Sequence, residues 1–168
     1  MAAVEADCLG QLVERRAQAT PDKIFLVDEA GRSLTFAQYK EAAERAAAGL
    51  HASYGVGEGT NVSWQLPTWI ESVVLVAALA RRGAIQNPLL PIYREREVRF
   101  VAKQTKARLM IVPSVWRGFD FQALANEIAA EVDGMEVLVA DPTLPEGDPA
   151  GLPEVAPPSP RPTRRSSS

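Results

Sequence analysis

The chain has 168 residues, enough for one domain with a sizeable core. Apolar residues make up 46% and charged residues 23%, an ordinary globular balance, and no apolar run approaches the ~20 residues that a membrane-spanning helix needs. Net charge is −3 but unevenly placed: residues 157–168 hold three arginines and no acid, so residues 1–156 carry −6. An acidic body is poor material for gripping a phosphate backbone, which argues against nucleic acid as a partner. Cys8 is the only cysteine, which excludes an intrachain disulfide and a thiolate zinc cluster. The first ten residues contain two acids and no basic stretch, against a signal peptide, so the expected location is cytoplasmic.

Helices and strands alternate along the chain. Asp7 is placed to cap a first helix running to about Ala19, with Leu9, Leu12, Val13 and Arg16 at helical spacing, and Thr20-Pro21 ends it. Ile24–Val27 and Ser33–Thr35 read as a hairpin turning through residues 29–32. Thr35 and Gln38 fit a capping box opening a helix to about Ser53, which stops at Gly55 and Gly57. Residues 61–66 form a strand candidate closed by Pro67. Residues 69–82 form a helix apolar on nearly every side, the pattern of a helix buried in a larger fold.

Residues 84–87 are the next strand. Residues 94–106 set Val98, Val101 and Ala102 on one face among charges, as a surface helix does. Leu109–Val112 is a short, wholly apolar strand, residues 121–132 a further amphipathic helix, and residues 136–140 a strand. Strands separated by helices of about a dozen residues imply βαβ units, hence an α/β fold with a mostly parallel sheet. After Asp141 the periodicity stops. Residues 142–168 hold eight of the thirteen prolines and end Arg-Arg-Ser-Ser-Ser, so residues 1–141 are assigned to an α/β body and 142–168 to a disordered tail.

The order of these features, rather than any one of them, resembles the opening of the AMP-forming acyl-CoA synthetases and their relatives. The resemblance is carried by Thr20-Pro21-Asp22-Lys23 after the first helix, by Leu34-Thr35-Phe36 at the next helix start and by Gly55, Gly59 and the strand up to Pro67. It continues through Gly83-Ala84 and Asn87-Pro88 to the stretch Pro91, Tyr93, Arg94 and Glu97, covering about residues 8–141. One departure is Thr60-Asn61, where the family often has an aspartate after the glycine turn.

The resemblance implies an incomplete α/β unit like the N-terminal subdomain of such a synthetase. Intact members use ATP, Mg2+ and CoA: a carboxylate attacks the α-phosphate, pyrophosphate leaves, and a thiol displaces AMP from the acyl-adenylate. That chemistry needs a Gly/Ser/Thr loop ending in lysine, a magnesium ligand, a ribose-binding aspartate and a mobile catalytic lysine, and no segment of this chain matches any of them. The expectation is therefore a truncated member that is inactive alone, with no catalytic residue, no metal ligand, unknown cofactor-binding residues and no cofactor of its own. A carboxylic acid would be substrate only in an intact enzyme.

Residues with a claim to function each have a plainer reading. His51 near a helix C-terminus reads as a solvated end residue. Gly55, Gly57 and Gly59 precede a strand instead of following one, so they form a turn and not a dinucleotide loop. Trp64 and Trp69 flank Pro67 and would either pack the core or line an acyl pocket. The loop 87–93 leaves the C-terminal end of a strand, where ligands of open α/β sheets sit. Arg94, Arg96 and Arg99 interleave with Glu95 and Glu97 as on a solvated helix face, and Arg164-Arg165-Ser166 resembles a kinase target only weakly. The alternative class is a non-enzymatic α/β interaction module. A lone N-terminal portion would expose residues 69–80 and sheet edges, inviting self-association or pairing with a complementary fragment.

Overall fold

The computed structural model describes residues 6 and 8–152. Helix α1, Leu9–Ala19, starts from Cys8, and the expected cap Asp7 lies outside the described residues. Strands β1 (Ile24–Val27) and β2 (Ser33–Thr35) pair antiparallel, as the turn residues predict. Helix α2, Phe36–Tyr54, begins with the capping box: Thr35 Oγ accepts from the Gln38 amide at 3.2 Å while Gln38 Oε1 accepts from the Thr35 amide at 2.9 Å. It ends on Gly55 at φ 63°, a left-handed position that glycine takes without strain.

Three βαβ steps follow. Strand β3 (Asn61–Trp64), helix α3 (Ile70–Arg81) and strand β4 (Ile85–Pro88) make the first. Helix α4 (Glu95–Thr105) leads to β5 (Leu109–Val112). A two-strand ribbon, β6 (Val115–Trp116) and β7 (Phe119–Asp120), precedes α5 (Phe121–Ala129) and β8 (Glu136–Val139). The main sheet is wholly parallel in the order β4-β3-β5-β8, with Val62 opposite Gln86 on one side and Leu109 on the other.

That order explains the layering. The chain leaves β3 toward β4, then turns back past β3 to reach β5. Right-handed crossovers running in opposite directions must use opposite faces of the sheet. Accordingly Val62, Leu109 and Ile111 pack with α2 and α3, while Met110 and Val112 pack with α4 and α5. All four residues of β5 are buried, as a central parallel strand covered on both faces requires.

Two expectations need correction. Helix α3 is not left open: Leu75, Ala78 and Leu79 are fully buried, and α1 and α2 pack over it, so the chain covers its most apolar helix itself. Nor does order stop at Asp141. Residues 142–152 lie along α2, where Gly147 N donates to the Arg45 carbonyl at 2.9 Å, Arg45 Nη2 meets Glu146 Oε2 at 2.5 Å, and Leu144 and Leu152 pack on the core. Proline richness misleads there because proline also suits an extended segment held by a few amide bonds and apolar side chains. Residues 153–168 lie outside the described residues.

The segment can sit so close because α2 presents Gly49. A Cβ built there would stand 2.3 Å from the Pro145 carbonyl oxygen. Alanine at an ordinary helix interior gains about 1 kcal/mol over glycine, but a clash with backbone outweighs that. Gly49→Ala is expected to destabilise by about 1–3 kcal/mol in urea titration and to open residues 142–152 to protease.

Tyr39 offers a second check. Its ring is buried beside Phe25 at 4.8 Å, and its hydroxyl donates to the Val73 carbonyl at 3.0 Å, joining α2 to α3. Burial pushes its pKa up to about 12. A phenol raised from its unfolded value of ~10 contributes stability that is whole below pH ~10 and is lost as pH rises toward 12. Tyr39→Phe should cost about 1 kcal/mol at neutral pH and show a smaller loss between pH 10 and 12 than wild type, read from denaturation midpoints.

Candidate functional site

In a parallel sheet, the place where neighbouring strands feed connections in opposite directions leaves a crevice at their C-terminal ends. Here that place lies between β3 and β5. A cleft of about 1020 Å³ lies beyond it, with walls from four connections. The β1–β2 hairpin supplies residues 26–30 and Arg32, and the β3–α3 turn supplies residues 67–70 with Val73. The β4–α4 loop supplies Pro91, Ile92 and Arg94, and the β6–β7 ribbon supplies Trp116 and Arg117.

The first wall is held by ion pairs. Arg32 Nε contacts Asp28 Oδ2 at 2.6 Å, and its Nη1 reaches Glu71 Oε1 of α3 at 2.8 Å. Hydrogen bonding to Glu71 and then to Asp28 raises the Arg32 guanidinium above its ordinary pKa. Asp28 also accepts from the Ala30 and Arg32 amides, which closes the hairpin turn. In the second wall, Ser72 Oγ donates to the Pro67 carbonyl at 2.6 Å across the turn that holds Trp69, which lines the cleft.

The third wall is fixed from two sides. Gln65 is buried just past the end of β3, its amide donating to Ile111 of β5 at 2.9 Å. Its Nε2 donates to the carbonyls of Leu90 at 2.8 Å and Tyr93 at 3.0 Å. From the solvent side, Arg94 Nη1 donates to the carbonyls of Pro91 at 2.7 Å and Tyr93 at 2.9 Å. The Arg94 guanidinium also lies 4.2 Å from the Phe119 ring centre, a cation–π contact to the ribbon. In the fourth wall Arg117 sits over its own neighbour Trp116 at 4.5 Å. Arg117 (φ 50°) and Gly118 (φ 75°) give the two left-handed positions of a tight two-residue turn.

Arginine, the acids Asp28 and Glu29, and aromatic or aliphatic surfaces thus meet in one cleft. Among the described residues, no group of three or more histidine, cysteine or acidic side chains could hold a metal.

The residues singled out from sequence divide. Trp69 and the loop 87–93 reach the cleft; Trp64 does not, and packs against the α2–α3 core with its indole nitrogen buried and unpartnered. His51 lies at the end of α2, its Nδ1 3.1 Å from the Val56 carbonyl and 3.2 Å from Arg82 Nη2, away from the cleft. Gly55 and Gly59 form turns at φ 63° and 72°. Of the charged α4 face, only Arg94 lines the cleft, while Arg99 bonds Glu95, Glu127 and Glu131 across to the α5 end. Arg164, Arg165 and Ser166 lie outside the described residues. Sequence reasoning missed the β6–β7 ribbon and with it Trp116 and Arg117. The available signal was Gly118 between Trp116 and Phe119, weaker than Asn-Gly because arginine seldom takes a left-handed conformation.

Comparison with known proteins accounts for this arrangement. The family model described as AMP-binding enzyme matches residues 13–166. A 2-hydroxy-7-methoxy-5-methyl-1-naphthoate–CoA ligase of Streptomyces carzinostaticus is 36% identical over 137 residues, covering 81% of this chain and 24% of that protein. A medium-chain fatty-acid–CoA ligase of Escherichia coli K12 is 35% identical over 104 residues, covering 62% of this chain and 18% of that protein. Among solved structures, the N-terminal subdomain of Klebsiella oxytoca NpsA superposes with a TM-score of 0.66 at 20% identity, covering 80% of this chain and 32% of that one. The chain spans about a fifth to a quarter of the length of these CoA ligases. With the sheet, the cleft and the family match in agreement, the chain belongs to the AMP-binding enzyme family.

Proposed function

We propose that this chain supplies walls of the acid-binding cleft in an AMP-forming acid–thiol ligase, and that it does not adenylate a carboxylate by itself. The observation that carries this reading is the match to CoA ligases running through the segments that build the cleft. Trp69, Ile92 and Trp116 offer apolar surface and Arg94 and Arg117 offer positive charge, which suits a carboxylic acid with an apolar body. In the family's reaction, ATP and Mg2+ activate that acid and CoA receives it. The phosphate-gripping loop and the lysine of that chemistry have no match in this sequence, so those steps belong to an intact enzyme.

Carboxylate-dependent ATP–pyrophosphate exchange tests the proposal. The purified chain should show no exchange above a protein-free control with medium-chain or aromatic acids. Robust turnover would place catalysis within these residues and end this reading.

A second reading, a self-sufficient interaction module without enzymatic activity, is favoured by one observation: α1 and α2 already cover α3, so the core needs no further chain. Its partner surface would be the open edge at β4, where Ile85 is 56% exposed. Sedimentation and thermal melting separate the two. A monodisperse, cooperatively melting monomer supports the module, and a sticky species without a sharp transition supports a piece of a larger enzyme.

A further inference from the structure

A glutamine almost wholly out of water is a costly choice at the end of a central strand, where its neighbours Leu66, Val62 and Ile111 are apolar. Gln65 occupies that position at the point where β3 and β5 diverge. Its side chain faces two carbonyls, Leu90 O at 2.8 Å and Tyr93 O at 3.0 Å, and because both only accept, the NH2 end must be the one that meets them. These carbonyls do not depend on Gln65 for satisfaction. Leu90 O also accepts from the Tyr93 amide, and Tyr93 O from Arg94 Nη1. A buried side chain whose partners are already bonded contributes position more than satisfaction. The segment it grips is the one that carries Pro91, Ile92 and Arg94 into the cleft; buried Leu89 and the packed Tyr93 ring anchor its ends, while Ile92 between them is 73% exposed.

We propose that Gln65 is a positioning residue: it ties the β4–α4 loop to the sheet at the β3–β5 divergence and so sets the wall that a ligand in the cleft meets. Arg94 closes the clamp from outside, so three carbonyls of the four residues 90–93 are held by two side chains. That the ligand is an amphipathic carboxylate rests on the function proposed above; the role of Gln65 in placing the loop does not.

The test is 1H–15N NMR of the 168-residue chain and of its Gln65→Leu variant, which keeps bulk and removes both donors. In wild type the Gln65 side-chain amide protons should exchange at least about tenfold more slowly than those of a solvated glutamine. In the variant the amide signals of residues 90–94 should move while those of α2 and β5 stay in place. Exchange at the solvated rate in wild type, or unmoved signals from residues 90–94 in the variant, overturns the assignment, and the wild-type measurement decides it should the variant fail to fold. Titration with decanoate then separates the two levels. Affinity about tenfold weaker in the variant, the scale of a lost hydrogen-bonded alignment, supports both. Absence of decanoate binding by wild type, with residues 90–94 displaced in the variant, removes the carboxylate reading and upholds the positioning role. Equal decanoate affinity in the two proteins shows that the loop does not set the wall, and overturns it.

Discussion

The parallel pairing of β3 with β5, across which the chain changes direction, is the constraint on which the rest depends. Once β4 lies on one side of β3 and β5 on the other, the connections leaving the two strands must part. The parted connections cannot cover the strand ends between them, and a crevice results without any residue being chosen to make it. The same reversal puts α3 and α4 on opposite faces, so β5 is covered on both sides and must be apolar at every position, as Leu109–Val112 is. Layering, core composition and cleft therefore share one topological cause.

Energetic weight is uneven across this frame. Around α3, large buried side chains from α2 and the sheet interlock, and burial of each such side chain is worth roughly 1.5–3 kcal/mol. The cleft walls rely instead on exposed ion pairs such as Arg32 with Glu71 and on loop carbonyls gripped by arginine and glutamine, interactions that orient more than they stabilise. A three-layer core that presents polar connections at one end suits binding, because loops carry the site while the core carries the stability.

Much of this was legible in the sequence. Thr35 with Gln38 and Gly55 mark the ends of α2 because caps and left-handed positions use few residue types, and the unbroken apolar run of β5 marks a doubly covered strand. What was not legible depended on pairing at a distance. The lie of residues 142–152 turns on Gly49, an interior helix residue nearly a hundred positions earlier whose missing side chain admits Pro145. The β6–β7 ribbon hides because its strands have two residues each, too short for alternation to register. Trp64 and Trp69 look alike in sequence, yet one belongs to strand and core and the other to a helix cap facing the cleft.

Gln65 shows why the site was harder to read than the fold. In sequence it is one of two polar residues, with Ser63, in the run from Val62 to Leu66, and strand alternation alone would accept both as solvent-facing. Helices cover both faces of this sheet and Gln65 itself is buried, so its polar group must find partners within the protein. The partners it finds are main-chain carbonyls of a loop at the cleft, 25 and 28 residues further along the chain. A buried polar residue that breaks the pattern of a doubly covered strand thus points to the connection whose course it fixes, and identifying that connection requires the strand order, which composition and periodicity do not contain.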